Sequence, residues 1–215
     1  MTNEHYLINE VFDRLDEWRN FPAFLLQRRT DILFGIYLPC IIEKKFGIKP
    51  DHIIPEFPVS AGTVFDADLT HSTDPLKIDY LAVNESQKEV YLIELITDVN
   101  TVLPLQHNYI GEAKKHNIPN LVDGVIAIRQ ASMIKKKYDN LLSKLNEMGW
   151  VDNTLLKNTS NHYTVKVVCI QPQNVKGNNE IITFADIVEY LSDKEDFFTR
   201  RFCESLTHWT NNPNE

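Results

Sequence analysis

Lys77 to Asn84 reads KIDYLAVN and Glu89 to Thr97 reads EVYLIELIT, two runs rich in β-branched and aromatic residues and of strand length. Glu85, Ser86, Gln87 and Lys88 separate them, a connection short enough to fold the pair into an antiparallel hairpin. Side chains alternate along a strand, which predicts Lys77, Asp79 and Leu81 on one side of the first run and Leu92, Glu94 and Ile96 on one side of the second. Asp79 and Glu94 then become cross-strand neighbours. Two facing carboxylates repel unless a proton or cation lies between them, and a hard divalent ion with oxygen ligands relieves that repulsion. The competing expectation is two acids on an exposed sheet face, each solvated by water.

On the N-terminal side, Arg28 to Phe46 (RRTDILFGIYLPCIIEKKF) has the apolar spacing of a helix, with Thr30 or Asp31 as its expected cap. Pro39 is expected to kink or split it, and Gly47 and Pro50 to end it. HIIPEFPVSA then reads as an irregular edge strand, because each proline removes a ladder donor, and a polar stretch runs from Phe65 to Pro75. On the C-terminal side, Val99 to Asn117 is predicted helical, starting properly near Pro104 and stopped by Pro119. VDGVIAIR, Val122 to Arg129, reads as a buried strand. Ser132 to Met148 reads as an amphipathic helix, Tyr163 to Gln171 as a strand, and Thr183 to Leu191 and Asp193 to Trp209 as helices. Phe198, Phe202, Leu206 and Trp209 fall on one face of the last, expected to cover the sheet or a partner.

The chain has 215 residues, 43% of them hydrophobic and 24% charged, which excludes a disordered or low-complexity chain and leaves room for a sizeable core. No repeat or linker-like segment breaks it, so residues 1–215 are expected to form one domain. A formal net charge of −8 argues against an extended nonspecific nucleic-acid footprint, though not against a local basic groove. Cys40, Cys169 and Cys203 are far apart and odd in number, which predicts reduced packing residues rather than a disulfide or zinc framework. The N-terminus MTNEHYLINEVFDRLDEW lacks the apolar stretch of a signal peptide, and no apolar run approaches a membrane span. A cytoplasmic location without membrane association is the expectation.

With KIDYLAV, YLIELITD, the helical LQHNYIGEAKK and the apolar VDGVIAI in order, the sequence resembles the PD-(D/E)XK nuclease superfamily, the restriction-endonuclease-like fold. That resemblance implies an α/β (α+β) core over about residues 28–171, a mixed central sheet flanked by helices in the order α-β-β-β-α-β-α-β, and a C-terminal helical extension over about 183–210. It implies that Asp79 and Glu94 match the family's two acids around Mg²⁺ or Mn²⁺, with the Leu95 carbonyl as a further ligand. Glu43 matches the acid that the family's first helix often adds, and Gln106, with Tyr109 one turn on, the Gln that several branches carry early in the next helix. Metal-dependent phosphodiester hydrolysis, with nucleic acid as partner and DNA and RNA both open, is what the family implies, together with a homodimer as one of its assemblies.

One family position departs. The lysine expected two residues after the second acid is Ile96, and ELITD stands where many relatives have ELKTD. That lysine orients or deprotonates water and stabilises transition-state charge, neither of which isoleucine can do. Lys77, two residues before Asp79, and Lys114, eight residues beyond Gln106, are the candidate replacements, and Lys77 is favoured because roughly 6 to 7 Å of strand separates it from Asp79. The histidines show no ligand spacing, while Asp66, Asp68 and Asp74 read as turn-capping acids. Arg28, Arg29 and Lys135 to Lys137 read as helix-end charges, with phosphate contact at a rim as the functional alternative. Three function classes remain: a metal-dependent nuclease, a catalytically silent member of the fold acting as a binding or scaffold module, and an unrelated α/β interaction protein.

Overall fold

The computed structural model describes residues 3–65, 73–98, 104–174 and 180–210, and side chains throughout these except at 104–108. Helices α1 (Asn3–Trp18) and α2 (Gln27–Phe46) precede strand β1 (His52–Ser60), the short helix α3 (Ala61–Val64) and the hairpin strands β2 (Pro75–Asn84) and β3 (Glu89–Leu95). Three helices follow, α4 (Pro104–Ala113), α5 (Ile118–Ala131) and α6 (Lys135–Glu147), then strands β4 (Val151–Asp152), β5 (Lys157–Asn158), β6 (Thr164–Gln171) and β7 (Glu180–Thr183), and finally α7 (Phe184–Tyr190) and α8 (Phe197–Thr210). The fold is mixed α/β, with helices flanking a five-stranded sheet in the order β1-β2-β3-β6-β7 and a separate β4-β5 ribbon. The sheet is mixed: β1-β2 and β2-β3 are antiparallel, whereas β6-β7 is parallel. The expected hairpin is present with Tyr80 opposite Ile93 and Val83 opposite Val90. Among the described residues no helix is long and apolar enough to cross a membrane, and none of the three cysteines is in a disulfide.

The chain divides into two compact units, residues 51–93 with 103–167, and residues 1–50 with 94–102 and 168–215. In the first, Ile54, Phe57 and Val59 of β1, Ile78, Leu81 and Val83 of β2 and Val90 and Leu92 of β3 pack into one apolar cluster with residues of α4, α5 and α6. β1 is an edge strand, where Pro55 and Pro58 are tolerated because a missing donor there costs no internal ladder bond. VDGVIAIR is helix rather than strand, within α5. Ile118, Leu121, Val122, Val125 and Ile126 all reach the cluster, a three-four spacing that buries one helical stripe. Pro119, expected to stop a helix, sits in the first turn of this one, and Asn117 caps it by accepting from the Asn120 N–H at 2.9 Å. A short continuous apolar run fits a buried strand and a buried helix equally, and here cap and length favour the helix. The family-like order therefore ends differently from expectation: three helices lie between β3 and the next sheet strand.

In the second unit, α2 runs unbroken through Pro39, because Leu38, Ile41 and Ile42 are fully buried around it and that packing offsets the one donor a proline removes. Thr30 and Asp31 do not cap it: the N-cap is Leu26, and the Thr30 hydroxyl donates back to the Leu26 carbonyl at 2.9 Å inside the first turn. Gly47 closes the helix as expected, at φ +72°, its N–H donating to the Glu43 carbonyl at 2.8 Å, a conformation that strains any residue with a Cβ. The aromatic face of α8 is internal to this unit: Phe202 stacks on Tyr37 with ring centroids 5.2 Å apart and meets Phe34 edge-on at 5.4 Å. α1, unanticipated from the sequence, packs along α8 through Phe12 against Phe198 and Phe202. β7, also unanticipated, pairs with β6 and leads into α7 through a capping box between Thr183 and Asp186.

Candidate functional site

Asp79 lies half-buried in the middle of β2. The strict two-residue alternation expected around it is broken. Ile78 and Leu81, three residues apart, both enter the same apolar cluster, and so do Ile54 and Phe57 on β1. The register pairs Ile54 with Leu81 and Phe57 with Ile78, so both strands change phase at one rung, where Glu56 adopts a φ of +48°. A residue at positive φ reorients the side chains that follow it. Lys77 therefore does not share a side with Leu81: Leu76 and Ile78 flank it and face the cluster. The Lys77 ammonium instead pairs with Glu56 at 2.9 Å, both side chains more than 60% exposed, an ion pair of small energetic value. Its carbonyl accepts a hydrogen bond from the Tyr109 hydroxyl on α4.

Glu94 stands near the end of β3 and is buried, with 5% relative exposure. The Cys169 thiol of β6 donates to its Oε2 at 3.5 Å, a weak bond. No sequence spacing pointed to Cys169, because the pairing brings together residues 75 positions apart. Leu95 and Ile96 are buried as well, and the Ile96 N–H donates to the Ile170 carbonyl at 2.8 Å. The position that carries lysine in the resembled family is thus an apolar side chain in the interior.

The remaining candidates belong to several different elements. Glu43 is exposed in the last turn of α2. Gln106 belongs to α4, and its side chain lies outside the described residues. Lys114 is exposed just past α4. Asp66 and Asp68 lie outside the described residues, and Asp74 is exposed. Arg28, Arg29 and Lys135 to Lys137 are exposed at helix starts. Among the described residues no group of three or more His, Cys, Asp or Glu side chains is arranged to hold a metal ion.

At the far end of β3 the electrostatics are structural. Burial works against ionising Glu89, but hydrogen bonds from the Lys166 ammonium at 2.8 Å and the Tyr91 hydroxyl at 2.6 Å outweigh it and hold its pKa below the ordinary value. Burial, reinforced by that acceptor, pushes the Tyr91 phenol upward. Tyr163 donates to Glu85 at 2.6 Å and accepts from the Trp150 indole at 2.9 Å, and burial raises its pKa too. The Cys203 thiol is likewise raised by burial, which makes it a poor nucleophile. Comparison of the chain with protein-family models, curated proteins and solved structures gives no match.

Proposed function

We propose that this protein is a metal-dependent nuclease-like domain, cleaving phosphodiester bonds of nucleic acid with Asp79 and Glu94 as the essential acids. The observation that carries this reading is Glu94: a carboxylate at 5% exposure in a central strand, next to the Leu95 carbonyl and two strands of sheet from the edge, where the resembled family has its second acid. The donors named for the ion are the carboxylates of Asp79 and Glu94, with Glu43 in support, and the Leu95 carbonyl, all hard oxygens of the kind Mg²⁺ and Mn²⁺ accept. When bound, such an ion supplies Lewis acidity and an activated water. The chain's own contribution would be to orient the ion through Asp79 and Glu94, while buried Leu95 and Ile96 limit access of bulk water on that strand. Without a lysine after Glu94, a few kcal/mol of transition-state stabilisation is missing, on the order of 10² to 10³ in rate.

A second reading, a silent member of the fold used as a binding or scaffold module, is favoured by one observation: Ile96 is part of the packed interior. The two separate cleanly. Purified protein is incubated with labelled single- and double-stranded DNA and RNA in Mn²⁺ or Mg²⁺, beside Asp79→Ala and Glu94→Gln. Cleavage by the wild type that both variants lose supports the nuclease. No cleavage of any substrate rejects it in favour of the silent module.

A further inference from the structure

An apolar face on α1 and α2 lies exposed within one compact unit. Leu7, Val11 and Trp18 recur along α1 with Arg14 between them, at four-three-four spacing, and Arg29, Ile32 and Ile36 recur along α2 at three-four spacing, with Leu25 in the loop just before that helix. All six apolar residues are between 39% and 67% exposed, although such spacing ordinarily marks a buried stripe. The two stripes are joined. The Arg14 guanidinium lies over the Trp18 ring, Trp18 meets Phe24 edge-on at 6.1 Å, and the Arg29 guanidinium lies over Phe24. Six such side chains on two stripes that meet at Trp18, Phe24 and Arg29 are exposed on the scale of the largest apolar patches a typical monomer leaves uncovered, roughly 300–600 Å².

The charges beside the stripes differ in sign. Along the α1 stripe Glu4, Glu10 and Glu17 outnumber Arg14, Asp13 and Asp16 being turned to Arg201 of α8, whereas along the α2 stripe Arg28 and Arg29 outnumber Asp31. An α1 packed on another α1 would meet like charge, whereas α1 packed on α2 meets opposite charge. We propose that the chain forms a two-fold dimer in which α1 of one protomer lies on α2 of its partner, and the reverse contact forms by symmetry. A surface that is complementary to itself in this way is what an isologous interface requires. With a polar rim, the patch approaches the ~800 Å² per partner of a standard interface. This inference is independent of the nuclease reading.

Sedimentation equilibrium of the full chain tests it, with Val11→Lys and Ile32→Glu measured separately and mixed. Both positions are more than half exposed, so each variant should keep its thermal midpoint within about 2 °C of the wild-type monomer's, a surface-substitution effect. The wild type is expected at twice the 25.0 kDa chain mass. Each variant alone is expected to be monomeric, with association weakened at least about 100-fold because a two-fold repeats every change. The mixture is expected to regain the dimer mass, since a heterodimer faces the lysine stripe with the glutamate stripe and leaves its other contact wild type. A monomeric wild type at about 100 µM overturns the proposal, because a standard interface associates far below that concentration. A dimer that survives either substitution, or a mixture that stays monomeric, overturns the α1-on-α2 pairing.

Discussion

Replacing Asp16 by alanine tests how the α1–α8 contact is held. The Asp16 carboxylate accepts from the Trp209 indole at 2.7 Å, from the Arg201 guanidinium at 2.8 Å and from the Ser205 hydroxyl at 3.2 Å. Trp209 is 1% exposed and Ser205 fully buried. Arg201 has a second acid, Asp13, at 2.7 Å, but the Asp13 side chain is 66% exposed where Asp16 is 19% exposed. Asp16→Ala strands the indole N–H, which costs ~1–3 kcal/mol, and removes a charge-assisted bond worth ~1.5–3 kcal/mol. Arg201 keeps Asp13 and some water, and Ser205 still accepts from Arg201 at 2.8 Å, so the net expectation is about 3 kcal/mol. Asp13→Ala, which removes an exposed partner of the same arginine, should cost less than ~1 kcal/mol. Asp16→Asn keeps an acceptor for Trp209 but loses the charge, and should fall between them at about 1.5 kcal/mol. Urea titration at neutral pH measures all three, with m-values unchanged if the denatured state is unaffected. In a thermal scan the Asp16→Ala loss corresponds to roughly 6–12 °C for a chain of this size. Asp16→Ala and Asp13→Ala agreeing within ~0.5 kcal/mol would refute the claim that burial, rather than the ion pair as such, sets the energy.

Three further outcomes follow from single sites. Glu89 has a folded-state pKa below its ordinary 4.5, so its contribution is fully present above that value and is lost as pH falls through the depressed one; Glu89→Gln should flatten the acid limb of the stability-against-pH curve, and an unchanged limb rejects that role for Glu89. Gly124→Ala would gain about 1 kcal/mol of helix propensity, but its Cβ would lie 2.9 Å from Thr63 Oγ1 and 3.2 Å from Ser60 Cβ. A net loss of about 1–2 kcal/mol, partly relieved by adding Thr63→Ala, is expected because Ser60 Cβ is fixed to the backbone; a stabilised single variant would show that α5 can yield there. Ile96→Lys, at 7% exposure, should cost about 3 kcal/mol in denaturant unfolding by removing apolar burial and adding a charge, and a neutral result would place that side chain in contact with solvent.

The hairpin was readable from residues 77–97 because two β-rich runs with a short polar link leave few other solutions. Gly47 as a helix end and the strand over 164–171 were equally local. Residues 122–129 were not, since an unbroken apolar run satisfies a strand or a helix, and only the partners that cover it decide. β7 is four residues long, and its existence depends on β6 lying beside it. For the candidate site, residue types marked Asp79 and Glu94, but their surroundings were set by contacts between distant segments. The phase change at Asp79 needs Glu56 on the neighbouring strand. Lys77 is directed to Glu56, Glu94 is met by Cys169, and Ile96 is fixed by Ile170. A strand's periodicity tells which residues can share a side, while the strand paired against it determines whether they do.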